Sequence, residues 1–447
     1  MSNETFVAIT ICLLLAGLGN LLLGVTSTHQ STLRFQRRLF LVAFAIRFSV
    51  SIALYAFGFW TLLGDADASG WSYGATLVSR WTVDHATIVD VIASWSEAFR
   101  NSGVPSAGTP GTHLGYYYLL GTIFFITGVS SRLIAAALNG FFGAIIVVFA
   151  YRTARTLFSE WVAVRVAWWT CLFPSMIIWS AQTVKEPVVI TLEVIALYCC
   201  LRLRKSGYAL RYVLLGGCAI ALMLPFRFYA AYIATAAFGS VLIIPNTGRR
   251  ARWSAVGLGV FALTIAVVAL VLVNSEARID QFDLTFVQQF RHDIAEGAGS
   301  GLNLDVDMHT TTGFSVGTLV GAAYLLLAPF PWELGVGSLR MLLTAPELVV
   351  WWWIFFVGVV PGARYVVKTR GLELAPIFVF ILGLGLLYSM TFGNIGLVFR
   401  QRAQLLPWLF VLAAVGLEQR AIRQSRRLPA QVRFAPRHRP PAAVGRT

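Results

Sequence analysis

Gly64-Asp65-Ala66-Asp67-Ala68-Ser69-Gly70-Trp71 follows an apolar run over about residues 39–63 and marks where the chain leaves a hydrophobic segment. A run of that length can cross a bilayer as a helix. Two carboxylates therefore stand one residue apart at the edge of a predicted membrane span. A single acidic residue in such a loop is usually only solvated. The pairing of Asp65 and Asp67, together with matching polar turns downstream, favours a loop that carries a reactive acid.

The composition is that of a membrane protein. Of the 447 residues, 57% are hydrophobic and only 12% are charged, and the mean hydropathy is +0.72, whereas a soluble domain carries about 25% charged residues. Apolar runs recur from end to end, and they do not alternate as the strands of a membrane barrel do. The expected fold class is all-α, a polytopic transmembrane helical bundle.

The net charge of +15 would suggest a nucleic-acid partner in a soluble protein. Here the basic residues lie in short loops between spans and in the tail, which is the positive-inside pattern. We expect contact with anionic membrane lipids and no nucleic acid. The cysteines fall within apolar spans and have neither disulfide nor metal-site spacing; they are Cys12, Cys171, Cys199, Cys200 and Cys218.

Loop charges predict the topology. Arg34, Arg37 and Arg38 follow the first span, so that loop should be cytoplasmic and the N-terminus outside. The chain then predicts about eleven crossings of the membrane, with the C-terminus in the cytoplasm. Residues 1–420 are expected to form one transmembrane domain, followed by a basic, Pro-rich tail over 421–447 that is expected to be disordered.

Two large outer loops are expected, over about residues 64–132 and 274–315. In the first, apolar residues at helical spacing over 82–100 predict a helix on the membrane surface. Residues 116–127 are short for a crossing and are expected to lie along the outer surface as a juxtamembrane helix. Prolines and glycines break the apolar pieces over 316–346, which predicts re-entrant or surface helices.

Charged residues collect at the predicted outer ends of the helices. Lys185 and Glu186 lie in one outward turn, Arg227 in the next turn, within Pro225-Phe226-Arg227, and Arg400 and Arg402 just before the last span. Each basic residue there has a simpler interpretation, in which it snorkels to lipid headgroups. A further arginine, at position 47, lies inside span two and is expected to face a cavity, a partner or an interface.

Acids and arginines on one face suit a lipid-linked phosphate or diphosphate donor. Arginines bind phosphate oxygens in fork geometry, and a carboxylate takes the proton of an acceptor hydroxyl. We expect Asp65 or Asp67 to be the general base, with Glu186 assisting. A second carboxylate can orient the acceptor or hold a divalent cation across the phosphates. If such a cation, Mg²⁺ or Mn²⁺, is present, Asp67 and Glu186 are expected to hold it. The residues expected to bind the donor phosphate are Arg400, Arg402, Arg227 and Lys185.

Acceptor or loop candidates come from two segments. His113 and Tyr117 lie in a Tyr-rich stretch whose aromatic residues are most simply an interfacial belt and less simply a platform for sugars. Asp305, Asp307 and His309 lie in the second large loop. A solvated loop explains the two aspartates equally well, and His309 is more simply incidental.

Several motifs resemble the GT-C superfamily of membrane glycosyltransferases, near the bacterial protein mannosyltransferase and aminoarabinose transferase branch. They are the Asp-x-Asp loop after an early span, the surface helix, Gly115-Tyr116-Tyr117-Tyr118, and Phe173-Pro174-Ser175 followed by Lys185-Glu186-Pro187. The resemblance implies a catalytic Asp at 65 or 67 and a second acid at Glu186.

Later segments are similar to bacterial surface-polysaccharide membrane proteins grouped with that superfamily. They are Leu327-Ala328-Pro329-Phe330-Pro331-Trp332, and Phe399-Arg400-Gln401-Arg402 with Pro407. The chain differs from the usual pattern in having an extra span before the first helix and no large soluble C-terminal domain.

Three hypotheses follow. The first is an inverting GT-C-type transferase that moves a sugar from a polyprenyl-phosphate carrier to a glycan, lipid or protein acceptor on the outer face. The second is a polysaccharide polymerase of the O-antigen or exopolysaccharide kind, acting on polyprenyl-diphosphate-linked repeats. The third is a transporter of lipid-linked glycans without catalysis, which predicts charges at mid-membrane in interrupted helices and internal repeats.

Overall fold

The computed structural model describes residues 3–27, 30–59, 70–100, 114–206, 209–243, 284–296, 301–302, 306–333 and 345–427. These residues form helices and their connections, with a single isolated bridge between Gly301 and Asn394 in place of any strand. The expectation of an all-α fold is confirmed.

The helices, in chain order, are α1 (Asn3–Thr26), α2 (Gln30–Ala56), α3 (Trp71–Val83), α4 (Ile88–Arg100), α5 (Leu114–Thr127), α6 (Arg132–Leu157), α7 (Glu160–Leu172), α8 (Pro174–Ala181), α9 (Glu186–Ser206), α10 (Leu210–Ile243), α11 (Leu284–Glu296), α12 (Thr311–Leu327), α13 (Ala345–Ile354), α14 (Val360–Arg370), α15 (Ala375–Met390) and α16 (Ile395–Arg427). A 3₁₀ turn, Pro331–Glu333, follows α12, and a π-helical turn, Phe355–Val359, joins α13 to α14.

By length and composition, six of the described helical segments could cross a membrane: α1, α2, α6, α10 taken as one continuous segment, Ala345–Arg370 and α16. The pair α7 and α8 meets at a bend of 51° and gives a seventh candidate. Three shorter apolar helices are α5, α12 and α15. The chain is therefore a polytopic helical membrane protein, and the number of eleven crossings stays a prediction.

The helix α10 is two helices that fold back on each other. Arg227 has non-helical backbone angles, φ −161° and ψ 81°. A Cβ atom built on Gly216 would lie 2.6 Å from the ring of Phe238, although these residues would be about 33 Å apart in a straight helix. The two halves are thus an antiparallel hairpin that reverses at Pro225-Phe226-Arg227, where the sequence predicts an outward turn.

Two buried helices, α6 and α9, form the centre of the bundle. The first packs against α1, α2, α7 and α9, and the second packs against both α6 and α10. Serine side chains start α6 and α7, since Ser131 accepts from the Leu133 amide and Ser159 from the Val162 amide, as N-cap residues do. The helices α6 and α9 run parallel, because Asn139 near the start of one contacts Val184 just before the other.

The first outer loop is helical on both sides of a turn. The surface helix predicted over 82–100 is present as α4, but it begins at Ile88 because a turn with His85 at φ 51° separates it from α3. Thr87 starts α4, and its hydroxyl and amide both donate to Asp90 at 2.7 and 2.8 Å. These two hydrogen bonds lower the pKa of the Asp90 carboxyl.

At the other end of the chain, α16 continues to Arg427, beyond the predicted start of the tail at residue 421. The remainder of the tail lies outside the described residues.

Candidate active site

The turn before α9 is held from inside the bundle. Asn139 Nδ2 donates to the Val184 carbonyl at 2.7 Å, and Ser51 Oγ donates to the Ala181 carbonyl at 2.8 Å. These carbonyls lie away from water, so each requires a partner from the protein. The result is that Glu186 is fixed as the first residue of α9, where the helix dipole favours a negative charge.

Glu186 lies between two arginines that are far away in the sequence. Its Oε1 atom is 2.9 Å from Arg227 Nη2 and 3.2 Å from Arg400 Nε. The exposed fractions of Glu186, Arg227 and Arg400 are 1%, 5% and 6%. A buried carboxylate is costly unless it is paired and hydrogen-bonded, and here two guanidinium groups share one oxygen. We call these three residues the Glu186 cluster.

A second layer of polar side chains lies beneath the Glu186 cluster. Arg227 Nη1 donates to the Tyr388 hydroxyl at 3.0 Å. With its amide nitrogen facing the carboxylate, as its neighbours require, Gln404 lies 2.8 Å from Glu193 Oε1 and 2.9 Å from the Tyr388 hydroxyl. Glu193 is fully buried and lies two turns after Glu186 on α9. Two acids and two arginines therefore meet inside the bundle.

Arg402 has a different position from Arg400. Two residues apart on α16, their side chains leave the helix on opposite faces. Arg402 Nη1 donates to the Leu326 carbonyl at 3.3 Å, and Nη2 also donates to the Ala328 carbonyl. These carbonyls lie at the end of α12, where no following helical amide donates to them. Arg402 thus stabilises the end of α12, and its role in phosphate binding stays a prediction.

Buried acidic and aromatic groups surround Arg402. Its guanidinium lies 4.9 Å from the ring centre of Phe399 and 5.9 Å from that of Trp351. Nearby, Glu347 accepts a 2.8 Å hydrogen bond from the Ser175 amide at the start of α8. Lys185, the remaining donor-phosphate candidate, is also buried, with 7% exposure.

Asp65 and Asp67 lie outside the described residues, as do His113 and Asp305. The two ends of the loop that carries Asp65 and Asp67 are described. The Arg132 guanidinium lies 5.4 Å from the ring centre of Tyr55, at the end of α2, and 5.2 Å from that of Trp71, at the start of α3. One residue at the start of α6 therefore holds both ends of the loop together.

The helix α5 links that loop to the Glu186 cluster. A Cβ atom on Gly70 would lie 2.9 Å from the ring of Tyr117, and one on Gly115 would lie 2.7 Å from the Pro225 carbonyl. Gly115 and Tyr117 are two residues apart, so the end of the loop and the turn that carries Arg227 pack at the same level of α5, on different faces of the helix. Tyr117 is buried here, with its ring centre 4.9 Å from that of Tyr73.

A cavity of about 520 Å³ lies at the described part of the segment predicted as the second outer loop, and its lining includes Asp307, His309, Arg291 and Phe392. The loop is pinned to the connection between α15 and α16, because the Leu302 amide donates to the Gly393 carbonyl at 2.9 Å. Asp307 accepts from the backbone amide of His309 at 2.9 Å, so part of its hydrogen bonding serves its own loop.

The site contains residues that the sequence analysis did not single out, namely Glu193, Tyr388, Gln404 and Asn139. Glu193 had a signal. A glutamate inside an apolar span is a candidate functional residue by itself, and a separation of seven places it on the same helix face as Glu186. The other three are neutral and have no periodic signal, so only the tertiary packing reveals them.

A metal site was also tested against the side chains. Within the described ranges no three His, Cys, Asp or Glu side chains come together as a metal site. Glu186 has its Oε1 atom engaged by two guanidinium groups, which makes it a poor cation ligand as it stands. The predicted cation site also depends on Asp67, which is not described, so it stays a prediction.

Comparison with known proteins gives one family. Residues 112–274 match the family model of the dolichyl-phosphate-mannose-protein mannosyltransferases, which covers a little over a third of the chain. The matched segment includes the Tyr-rich start of α5, the turn with Glu186 and the turn with Arg227. A comparison with curated proteins gives no match. The family match supports a GT-C-like membrane glycosyltransferase, as the motif resemblance implies.

Proposed function

We propose that the chain is an inverting glycosyltransferase that takes a sugar from a polyprenyl-phosphate carrier at the outer face of the bacterial plasma membrane. The matched family is named for a donor of this chemical class, dolichyl-phosphate-mannose. The acceptor would be a glycan, lipid or protein on that side, and the product would belong to the cell surface.

One observation carries the proposal. Glu186 Oε1 accepts a hydrogen bond from Arg227 and forms an ion pair with Arg400 at 3.2 Å in a buried site. A carboxylate oxygen between two guanidiniums occupies the position that a phosphate oxygen of the donor would take. When the donor binds, the phosphate would share or replace this contact, and Glu186 would keep both arginines oriented. Tyr388 would orient Arg227 from the opposite side.

The reaction would need a base and a stabilised leaving group. The acceptor oxygen would attack the anomeric carbon, the bond from that carbon to the phosphate oxygen would break, and the polyprenyl phosphate would leave with an added negative charge. Arg227 and Arg400 would stabilise this charge. The proton of the acceptor hydroxyl would pass to Asp65 or Asp67. The anchoring of that loop beside the Arg227 turn supports this assignment.

The test uses chromosomal variants in the native organism, with surface glycan analysed on gels and by mass. We expect Glu186→Gln, Arg227→Lys and Arg400→Lys to lose product while the protein remains in the membrane, and Asp65→Asn or Asp67→Asn to do the same. Arg80→Gln is the matched control, because its guanidinium is exposed and lies 3.9 Å from an exposed Asp84.

The products separate the hypotheses. Loss of a single sugar from otherwise intact glycan would support the transferase. Loss of the whole high-mass ladder, leaving one repeat on the lipid, would support the polymerase. Unchanged glycan in all the cluster variants would contradict a catalytic role and leave transport.

A further inference from the structure

A second cavity lies at the end of the bundle opposite to the Glu186 cluster. Its volume is about 450 Å³, and it lies between α2, the end of α6, the start of α7 and the end of α9. On α6, Asn139 lies at the end near the Glu186 cluster and Arg152 lies at the end near the cavity. The two residues are about 20 Å apart along the helix. The cavity is therefore separate from the candidate active site.

The lining of this cavity is strongly basic. It includes Arg152, Arg155, Arg202 and Lys205, and one carboxylate, Glu160. That carboxylate forms an ion pair with Arg155 and also accepts from the Tyr151 hydroxyl. The described lining therefore holds more basic than acidic side chains.

Arg152 is the deepest of these residues, with an exposed fraction of 7%. Its Nε donates to Gln36 Oε1 at 2.7 Å, and its Nη1 donates to Thr26 Oγ1 at 2.9 Å. Within the described part of the chain, its buried Nη2 has no hydrogen-bond partner. A buried donor without a partner is destabilising. The guanidinium is thus fixed on two sides, with donors left over for a ligand.

The remaining cations lie nearer the opening. Arg202 is half-buried, and its Nε donates to the Tyr212 hydroxyl at 3.0 Å. Lys205 is exposed and donates to the Thr156 carbonyl. Both are therefore held in place at the rim, while Arg152 lies about 8 Å inside the end of α6. An anion would meet the rim first and Arg152 last.

We propose that this cavity binds the phosphate of an anionic phospholipid headgroup in the leaflet opposite the candidate active site. The proposal rests on the depth of Arg152 and on its buried Nη2 donor. It does not depend on the proposed glycosyl transfer. The cavity opens at the helix ends, where headgroups lie, and basic pockets between transmembrane helices bind such groups. Its aromatic lining residues, Tyr151, Phe158 and Tyr198, suit the interface between headgroup and acyl chain.

The test measures thermal unfolding of the full chain, purified in detergent, during titration with phosphatidylglycerol. Phosphatidylcholine of the same acyl composition and inorganic phosphate are the parallel arms. We expect phosphatidylglycerol to raise the unfolding temperature and the other two to leave it unchanged. Arg152→Gln should raise the phosphatidylglycerol concentration for half the effect about tenfold or more, since it removes charge-assisted hydrogen bonds. Lys205→Gln should raise it less.

The matched control is Arg364→Gln. Arg364 is an exposed arginine of α14, and the end of that helix reaches the same side of the bundle, because Arg370 donates to the Leu157 carbonyl. This variant should respond as the parent chain does. Should Arg152→Gln fail to fold, Lys205→Gln and Arg202→Gln decide the question by the same titration.

Two results would overturn the proposal. One is an unchanged phosphatidylglycerol response in the variants that fold. The other is an equal shift from inorganic phosphate at the same phosphate concentration, which would assign the cavity to a soluble anion.

Discussion

The hydroxyl of Tyr388, a neutral side chain, is expected to affect the rate of sugar transfer at the Glu186 cluster. Its hydroxyl accepts from Arg227 and lies within hydrogen-bond distance of Gln404. Replacing it with phenylalanine keeps the ring packing and removes one hydrogen bond to a charged group. We expect Tyr388→Phe to lower sugar transfer about tenfold with normal membrane levels, measured on membranes with the native donor. Tyr365→Phe, at the other end of the bundle, should have no effect, and equal loss in both variants would contradict the role.

Arg400 and Arg402 are expected to differ, although both lie near the start of α16. Arg400→Lys keeps the charge but loses the planar fork, so transfer should fall about tenfold or more while the unfolding temperature stays near that of the parent. Arg402→Lys weakens the hydrogen bonds to the carbonyls at the end of α12, so its main effect should be lower thermal stability. Activity and thermal unfolding of both variants provide the test. The reverse pattern would show that Arg402 is the phosphate ligand.

At the residue scale, the sequence singles out residues whose charge is unusual, and it does not report which of them meet. An acid in an outward turn and an arginine in the next turn stand out from an apolar background. That they meet is a matter of packing between α9 and α10, which no spacing rule fixes. The separation of Arg400 from Arg402 follows from the helical period alone, so it could have been predicted once both residues were assigned to a helix.

At the element scale, the bend between α7 and α8 depends on Arg47. This arginine is fully buried in α2, and its guanidinium donates to the carbonyls of Thr170 and Cys171 at 3.0 and 3.3 Å. These are carbonyls that the end of α7 leaves without helical partners. Gly143 makes room, because a Cβ atom there would lie 2.6 Å from Arg47 Nε. The sequence showed that this arginine needs a partner, and the partner is a helix end.

We expect Arg47→Met to lower the free energy of unfolding by about 2–3 kcal/mol, because two buried carbonyls lose their donors. Thermal or denaturant unfolding in detergent measures this change. Arg211→Met is the control, since that arginine is exposed on α10. Equal stability of the two variants would mean that water or lipid satisfies the carbonyls instead.

At the scale of the whole molecule, hydropathy and turn residues predicted the bundle, the reversal at Pro225-Phe226-Arg227 and a helix within residues 82–100. They did not give the number of crossings. Apolar pieces such as α5, α12 and α15 are too short to assign by length. Their positions depend on packing against neighbours such as α3 and α10. Contacts with these helices bury apolar side chains that lipid would otherwise cover. The two ends of the loop with Asp65 and Asp67 are held by tertiary contacts, and the periodicity of the sequence does not predict such contacts.

The predicted orientation has a direct test in cysteine labelling. Both Asp84, in the first outer loop, and Ser425, near the end of α16, are exposed. In intact cells, a membrane-impermeant maleimide should label Asp84→Cys above the level of the parent chain and leave Ser425→Cys at that level. After the cells are opened, both should be labelled. Labelling of Ser425→Cys in intact cells would reverse the orientation and place the Glu186 cluster on the inside.

The burial of Glu193 at the middle of α9 has a consequence for biosynthesis. As α9 leaves the ribosome, its carboxylate has no counterion until Arg227 follows, about one helix later in the chain. A lone acid in a bilayer is unfavourable, so α9 and the two halves of α10 should partition from the translocon together. A nascent chain that stops after α9 should then fail to integrate stably, and extension through residue 243 should restore integration.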